Sequence, residues 1–156
     1  MFFSLKHPIS SALGKVENSG EGLFAKKAIK DRDHICLYFG VLVFRNQVYN
    51  EYYESDYFLE KRGNDFIIDA ADPLSCSGRY ANDSLSLEKN NCDFGFYKKP
   101  FSGYLYVTKN IKKGEELYTS YGKNYWKDKK EKNADSYALL PQVDKDWIDS
   151  EYKKAQ

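Results

Sequence analysis

The sequence predicts one mostly β domain with short helices, on three observations. Runs of four to eight β-branched and aromatic residues, bounded by Gly, Asp, Asn and Ser, recur through the first two-thirds of the chain. Aromatic residues make up 17% of it, with 14 tyrosines and 10 phenylalanines, side chains that suit a pleated, half-buried surface. The length of 156 residues is that of a single domain with a sizeable core.

In chain order, "GLFAKKAI" alternates loosely and predicts the first strand, just after the glycine pair Gly20 and Gly22. "HICLYFGVLVF" is an apolar run too long for one flat strand, and Gly40 divides it into two at a bend or bulge. "RNQVYNEYYES" predicts a helix, and "DYFLE" and "DFIID" predict short strands. From 70 to 99 the text "AADPLSCSGRYANDSLSLEKNNCDFGFYKK" holds no period of 2 or 3.6 over a full window and reads as a long loop. Loops of that length in a compact domain are more often functional than idle. Strands resume at "GYLYVTK" and "EELYTSY". "KDKKEK" is a solvated charge run, and "DKDWIDSEYKKA" after Pro141 has the Asp-first, Lys-last polarity of a short helix. The chain therefore divides into a domain over 1–126 and a charged linker with a helical segment over 127–156. Trp147, Ile148 and Tyr152 of that segment would pack on the domain or serve as a dimer surface.

Charge narrows the partners. Twenty-four basic residues against 23 acidic ones leave a net charge of +1, with no overall field toward nucleic acid or an anionic membrane. No apolar run approaches a membrane span, and "MFFSLKHPISSALGK" lacks the apolar centre of a secretory leader, so an intracellular, soluble protein is expected. Cys36, Cys76 and Cys92 form no CxxC pair, and their odd number suits reduced thiols. With two histidines in all, His7 and His34, no zinc site is expected.

Two internal features bear on function. "FAKKAIKDRDHICLYFG", 24–40, aligns without gaps on "YVTKNIKKGEELYTSYG", 106–122, sharing Lys27 with Lys109, Ile29 with Ile111, Lys30 with Lys112 and Gly40 with Gly122. Both copies read as strand, polar turn, strand, aromatic and glycine, which two independent hairpins would also produce. Second, three small motifs offer chemistry. Glycines flanking Glu21 let a ligand lie against bare backbone, although the third glycine of a dinucleotide fingerprint and the Gly-Lys of a phosphate loop are missing. Asn82, inside "GRYANDS", carries an amide that both donates and accepts, or caps a turn. "SYGKNYW" supplies the phenol of Tyr121 beside a glycine and the flat indole of Trp126.

In order, Gly-x-Gly, then Tyr-x-Gly at "YFG", Arg-Tyr-Ala-Asn-Asp-Ser, Asn-Asn-Cys, and Gly-Glu-Glu-Leu ending in Ser-Tyr-Gly, this set resembles the SET-domain protein lysine methyltransferases. The resemblance runs over 18–126. It implies small curved β-sheets in which the asparagine-bearing segment passes under the last strand as a C-terminal pseudoknot, a use for the long loop. It implies S-adenosylmethionine as cofactor, no metal, and a lysine-bearing protein or peptide, histone tails among the candidates, as partner. Residue by residue, the backbone at Glu21, Gly22 and Leu23 resembles the family's cofactor cradle, and Tyr57 stands where a cofactor-contacting tyrosine is common. Arg79, Tyr80, Asn82 and Asp83 lie in the cofactor-binding segment, with Asn82 matching the asparagine that holds the cofactor's amino-acid end. Trp126 resembles the aromatic covering the adenine in members without a zinc-bearing tail. Tyr121 matches the catalytic tyrosine, and Tyr38 the tyrosine beside the lysine channel.

There are departures. The family usually places His where Asp83 stands, so a contact on the adenine side is weakened or replaced. Thr119 occupies the position whose aromatic helps set how many methyl groups are added, and Phe94 takes the place of another channel aromatic across the insert "LSLEK". Two functions stay open at this level: an active methyltransferase, expected in the nucleus if its substrate is a histone and otherwise in the cytoplasm, or a SET-like module that binds a peptide or partner with little turnover. Oligomerisation is open as well.

Overall fold

The structure, a computed structural model, describes residues 9–15, 19–50, 55–98, 101–122, 125–126, 145–146 and 150, the side chains of 49 and 50 excepted. The expected charged linker and most of the C-terminal helical segment, including Trp147, Ile148 and Tyr152, lie outside the described residues.

Among the described residues the chain forms three antiparallel sheets of three strands each. The first joins β1 (Ile9–Leu13), β2 (Glu21–Ala25) and β9 (Glu116–Leu117), with β2 in the middle. The second, ordered β3-β8-β7, joins β3 (His34–Tyr38), β8 (Phe101–Val107) and β7 (Cys92–Lys98). The third, ordered β4-β6-β5, joins β4 (Val41–Phe44), β6 (Phe66–Asp69) and β5 (Phe58–Glu60). Helix α1 (Arg45–Asn50) follows β4, as its sequence predicts. The long apolar run divides at Gly40 for a steric reason: a Cβ there would sit 1.9 Å from the Asp69 carbonyl oxygen, so only glycine lets β4 start this close to β6.

The echoing segments are not two separate hairpins. They pair with each other. Ile29 and Ile111, equivalent in the alignment, exchange backbone hydrogen bonds of 2.9 Å in both directions and are each 2% exposed. Around them β2 pairs with β9 and β3 with β8, so each copy closes the other's ladder. Arg32 and Gly114, also equivalent, both turn in the left-handed region, at φ 69° and 83°. Leu23, Ile35, Leu105, Val107 and Leu117 fill the core between the copies, and burying each such side chain contributes about 1.5–3 kcal/mol.

The stretch from 70 to 99 is less irregular than its composition suggests. Its last part is β7, paired along its whole length with β8. Cys92, Phe94 and Phe96 alternate with Asp93, Gly95 and Tyr97, a period of two that Gly95 conceals. That glycine is required because the Tyr104 ring lies across it, 2.2 Å from where a Cβ would stand. A 3-10 turn, Ser77–Tyr80, precedes the asparagine segment. Asn82 then pairs in parallel with Tyr118 across the end of β9. On the other side, the N–H groups of Asn91 and Cys92 donate to the Tyr118 carbonyl at 3.0 and 2.9 Å. The last strand is thus held between two parts of the chain that precedes it, the crossing expected of a pseudoknot.

Candidate active site

The crossing gathers polar groups that the strands alone would not bring together. Asn82, 5% exposed, extends its Nδ2 toward the Glu21 carbonyl at 3.0 Å, Ser19 Oγ at 3.1 Å and Glu116 Oε1 at 3.1 Å. Glu116 is 2% exposed, and its carboxylate is satisfied by donors: the Lys15 backbone N–H and the Tyr118 hydroxyl, each at 2.8 Å to Oε2, besides the Asn82 amide. A carboxylate so enclosed needs such donors to remain buried. The Tyr118 phenol is raised above the ordinary tyrosine range, first by burial and then by this carboxylate. Two glycines make room for the group: a Cβ on Gly22 would lie 2.2 Å from Glu116 Oε1, and one on Gly14 would lie 2.8 Å from Asn82 Nδ2. Gly22 is therefore demanded by packing against Glu116. Gly20, with φ +72° and open space around it, is the glycine of the pair that leaves backbone bare.

Past β9 the chain presents Tyr121. Its hydroxyl donates to the Ala81 carbonyl at 3.2 Å and lies 3.5 Å from Asn82 Oδ1. Tyr38, 4% exposed at the end of β3, donates to the Tyr57 carbonyl at 2.7 Å. Burial pushes both phenols well above their usual range, reinforced by Tyr125 and Asp83 around Tyr121 and by Cys76 and Asp69 around Tyr38. Both are neutral near pH 7. Because each spends its single hydrogen on a backbone carbonyl, each offers only lone pairs to whatever lies beside it. Phe94 packs edge-on against Tyr38 with ring centroids 5.1 Å apart.

Asp83, 4% exposed, ties this phenol to the segment that follows it. Its Oδ2 accepts from the Tyr121 backbone N–H at 2.9 Å and from the Trp126 indole N–H at 3.0 Å. Trp126 stacks on Tyr121 with centroids 6.0 Å apart and planes at 15°, while Tyr125 meets both rings edge-on. Arg79 donates to the carbonyls of Ala70 and Ala71 at 2.8 and 3.0 Å, and its guanidinium lies 3.9 Å from the Tyr57 ring centre and 5.0 Å from that of Tyr80. In this arrangement Arg79 pins the loop and orients Tyr57 and Tyr80. Thr119 is fully buried, gives its backbone N–H to the Asn82 carbonyl at 2.8 Å, and carries an Oγ1 with no partner among the described residues. Leu23 points into the core at 1% exposure, so any part it has in a ligand site is played by its backbone.

Residues 20–122 match the family model of the SET domain. The chain belongs to the SET-domain family. Such domains are typically those of protein-lysine methyltransferases. Among solved structures, this SET domain is similar to a chain of an active polycomb repressive complex 2 in its basal state, with TM-score 0.62 and 24% identity. It is similar also to a chain of the Chaetomium thermophilum polycomb repressive complex 2, with TM-score 0.62 and 22% identity. Each likeness covers 74% of this chain and 15% of the other, so the SET domain described here spans about 15% of those chains, and at these identities the likeness is one of fold. No curated protein matches the sequence.

The family's usual cofactor, S-adenosylmethionine, brings an ammonium, a carboxylate, a sulfonium and an adenine. The donor set here fits it. Asn82 Oδ1, 3.5 Å from the Tyr121 hydroxyl, keeps capacity to accept from an ammonium, the phenol lone pairs suit a cationic sulfonium, and the half-buried Trp126 indole gives a face for adenine. Sequence reasoning passed over Glu116, Gly14 and Tyr125. Glu116 stood in the quoted Gly-Glu-Glu-Leu motif, but only the crossing shows that its carboxylate is the anchor of Asn82. Tyr125 precedes Trp126, and its signal was that both rings follow the glycine.

Proposed function

We propose that this SET domain transfers a methyl group from S-adenosylmethionine to the side-chain amine of a lysine in a protein, histone tails being the first candidates. The observation that carries the reading is the pair of neutral phenols, Tyr121 and Tyr38, whose hydrogens are taken by the Ala81 and Tyr57 carbonyls at 3.2 and 2.7 Å. A site lined with acceptor lone pairs holds an amine through its N–H groups and directs its own lone pair away from them.

The bound cofactor supplies an electrophilic methyl on a positively charged sulfur. The residues of this chain supply position and environment. Asn82, braced by Glu116, holds the amino-acid end together with the backbone from Gly20 to Leu23, and Trp126 covers the adenine. Tyr57, Tyr80 and Arg79 wall the site, with the side chain of Asp83 beneath it. Phe94 and Tyr38 line the channel for the incoming lysine. A lysine amine has a reference pKa of about 10.4, so it arrives protonated and must lose a proton before it attacks. Tyr121 does not take that proton, since a neutral phenol is no base, and the proton leaves to water while the aromatic channel favours the neutral amine. Tyr121 then orients the amine for an in-line displacement, a contribution of proximity and electrostatics rather than covalent chemistry. Thr119 stands where an aromatic residue is common and is itself fully buried, and the number of methyl groups added is read from the product. The substrate lies as an extended strand along a sheet edge, reading its neighbours through backbone pairing.

The test is incubation with methyl-labelled S-adenosylmethionine, a histone panel and cell extract, followed by mass spectrometry. Label on a lysine supports the reading and gives substrate and product state together. Cofactor binding with no labelled protein would replace it with a peptide-binding module. A histone substrate would place the protein with chromatin, in the nucleus.

A further inference from the structure

Asp83 is the point at which this chain departs from its family's usual histidine, and its surroundings show a replacement with its own logic. Oδ1 accepts the Leu85 N–H at 2.9 Å and the Asn90 amide at 3.4 Å, closing a turn in which Leu85 takes the left-handed φ of 58°. Oδ2 accepts the Tyr121 N–H and the Trp126 indole N–H at 2.9 and 3.0 Å. Two oxygens thus serve four N–H donors from two segments of the chain, the full capacity of a carboxylate. A neutral histidine has one acceptor nitrogen, and an asparagine would turn an NH₂ group against one of the two donor pairs. The neighbouring Asn82 reaches the other way, to Glu21 and Glu116, so the dipeptide braces both sides of the site at once.

We propose that Asp83 is a positioning residue that locks the Trp126 indole over Tyr121 and fixes the Tyr121 backbone, making a fixed cover for the adenine out of the segment after the last strand. The adenine part of this inference rests on the cofactor reading above; the lock itself does not. Free energy enters through preorganisation, since a ring already held in place loses little freedom when a ligand arrives.

The experiment uses the full chain with Trp147→Phe, which leaves Trp126 as the sole indole of the two in the sequence. First, in the chain with Asp83 intact, hydrogen exchange of the Trp126 Nε1–H is followed by NMR; strong protection supports the lock, and exchange as fast as a free indole overturns it without any variant at Asp83. Then Asp83→Asn and Asp83→His are compared for Trp126 emission, acrylamide quenching and calorimetric affinity for S-adenosylhomocysteine. Red-shifted emission, at least about twofold greater quenching, and affinity lower by about tenfold, the equivalent of one hydrogen bond, are expected. The family's usual histidine should not rescue. Unchanged emission and quenching in both variants would overturn the proposal. If the parent chain does not bind S-adenosylhomocysteine, the cofactor reading fails, while the exchange and fluorescence arms still decide the lock.

Discussion

Replacing Gly22 by alanine tests whether the Asn82–Glu116 cluster is the anchor of the site. The added methyl would stand 2.2 Å from Glu116 Oε1, 2.9 Å from its Cδ and 3.0 Å from the Gly14 Cα. Backbone blocks retreat on one side, so the carboxylate must move. Moving it stretches the Oε1 contact to Asn82 first, because Oε2 is held by two donors at 2.8 Å. Loss of one hydrogen bond to a charged group costs about 1.5–3 kcal/mol. Overpacking of a filled site adds about 1–3 kcal/mol. Together they give a loss of about 2.5–6 kcal/mol, large against the ~5–15 kcal/mol of a typical domain. Urea unfolding followed by circular dichroism should show the midpoint falling by roughly 2 M. Gly20→Ala is the control, with nothing within 4 Å of its Cβ and only the left-handed φ of +72° to oppose it, about 1–2 kcal/mol. A Gly22→Ala protein no less stable than Gly20→Ala would refute the packing argument.

Tyr121→Phe should lower the methyl-transfer rate on the order of a hundredfold with little change in S-adenosylhomocysteine affinity, and unchanged turnover would remove Tyr121 from catalysis. Thr119→Val removes a buried hydroxyl that has no partner among the described residues, so the cofactor-free protein should gain about 1 kcal/mol by urea titration; a loss of that size would show that the hydroxyl is satisfied. Stability should fall in alkali. Burial raises the Cys36 thiol to about 12 and pushes Cys92 and Tyr38 up as well, each residue being 4% exposed. In the unfolded chain thiols ionise near 8.5 and phenols near 10, so above those values the unfolded state sheds protons that the native state keeps. The stabilisation is complete below about pH 8 and declines by about 1.4 kcal/mol per pH unit for each group as pH rises toward the folded values. A urea midpoint that stays flat from pH 8 to 11 under reducing conditions would contradict it.

Local chemistry determined much of this protein. Alternation and β-branching gave the strands at Glu21–Ala25, His34–Tyr38, Phe58–Glu60 and Phe66–Asp69, and Gly40 marked the break that a close backbone approach enforces. The motif order gave the family, and the proposal that Tyr38, Asn82 and Tyr121 serve its site starts from the same short motifs. Tertiary structure decided what depends on contacts between distant segments. The strand Cys92–Lys98 exists through its pairing with Phe101–Val107, and Gly95 is tolerable in it because the Tyr104 ring fills the gap. The echoing segments read equally well as two hairpins, and only their mutual pairing through Ile29 and Ile111 distinguishes an interlocked core. The partners of Gly22, Asn82 and Asp83 lie 94, 34 and 43 residues away in Glu116, Glu116 and Trp126, separations over which no sequence period carries information. Residue type fixed which groups could accept or donate; the crossing of the last strand fixed which of them met.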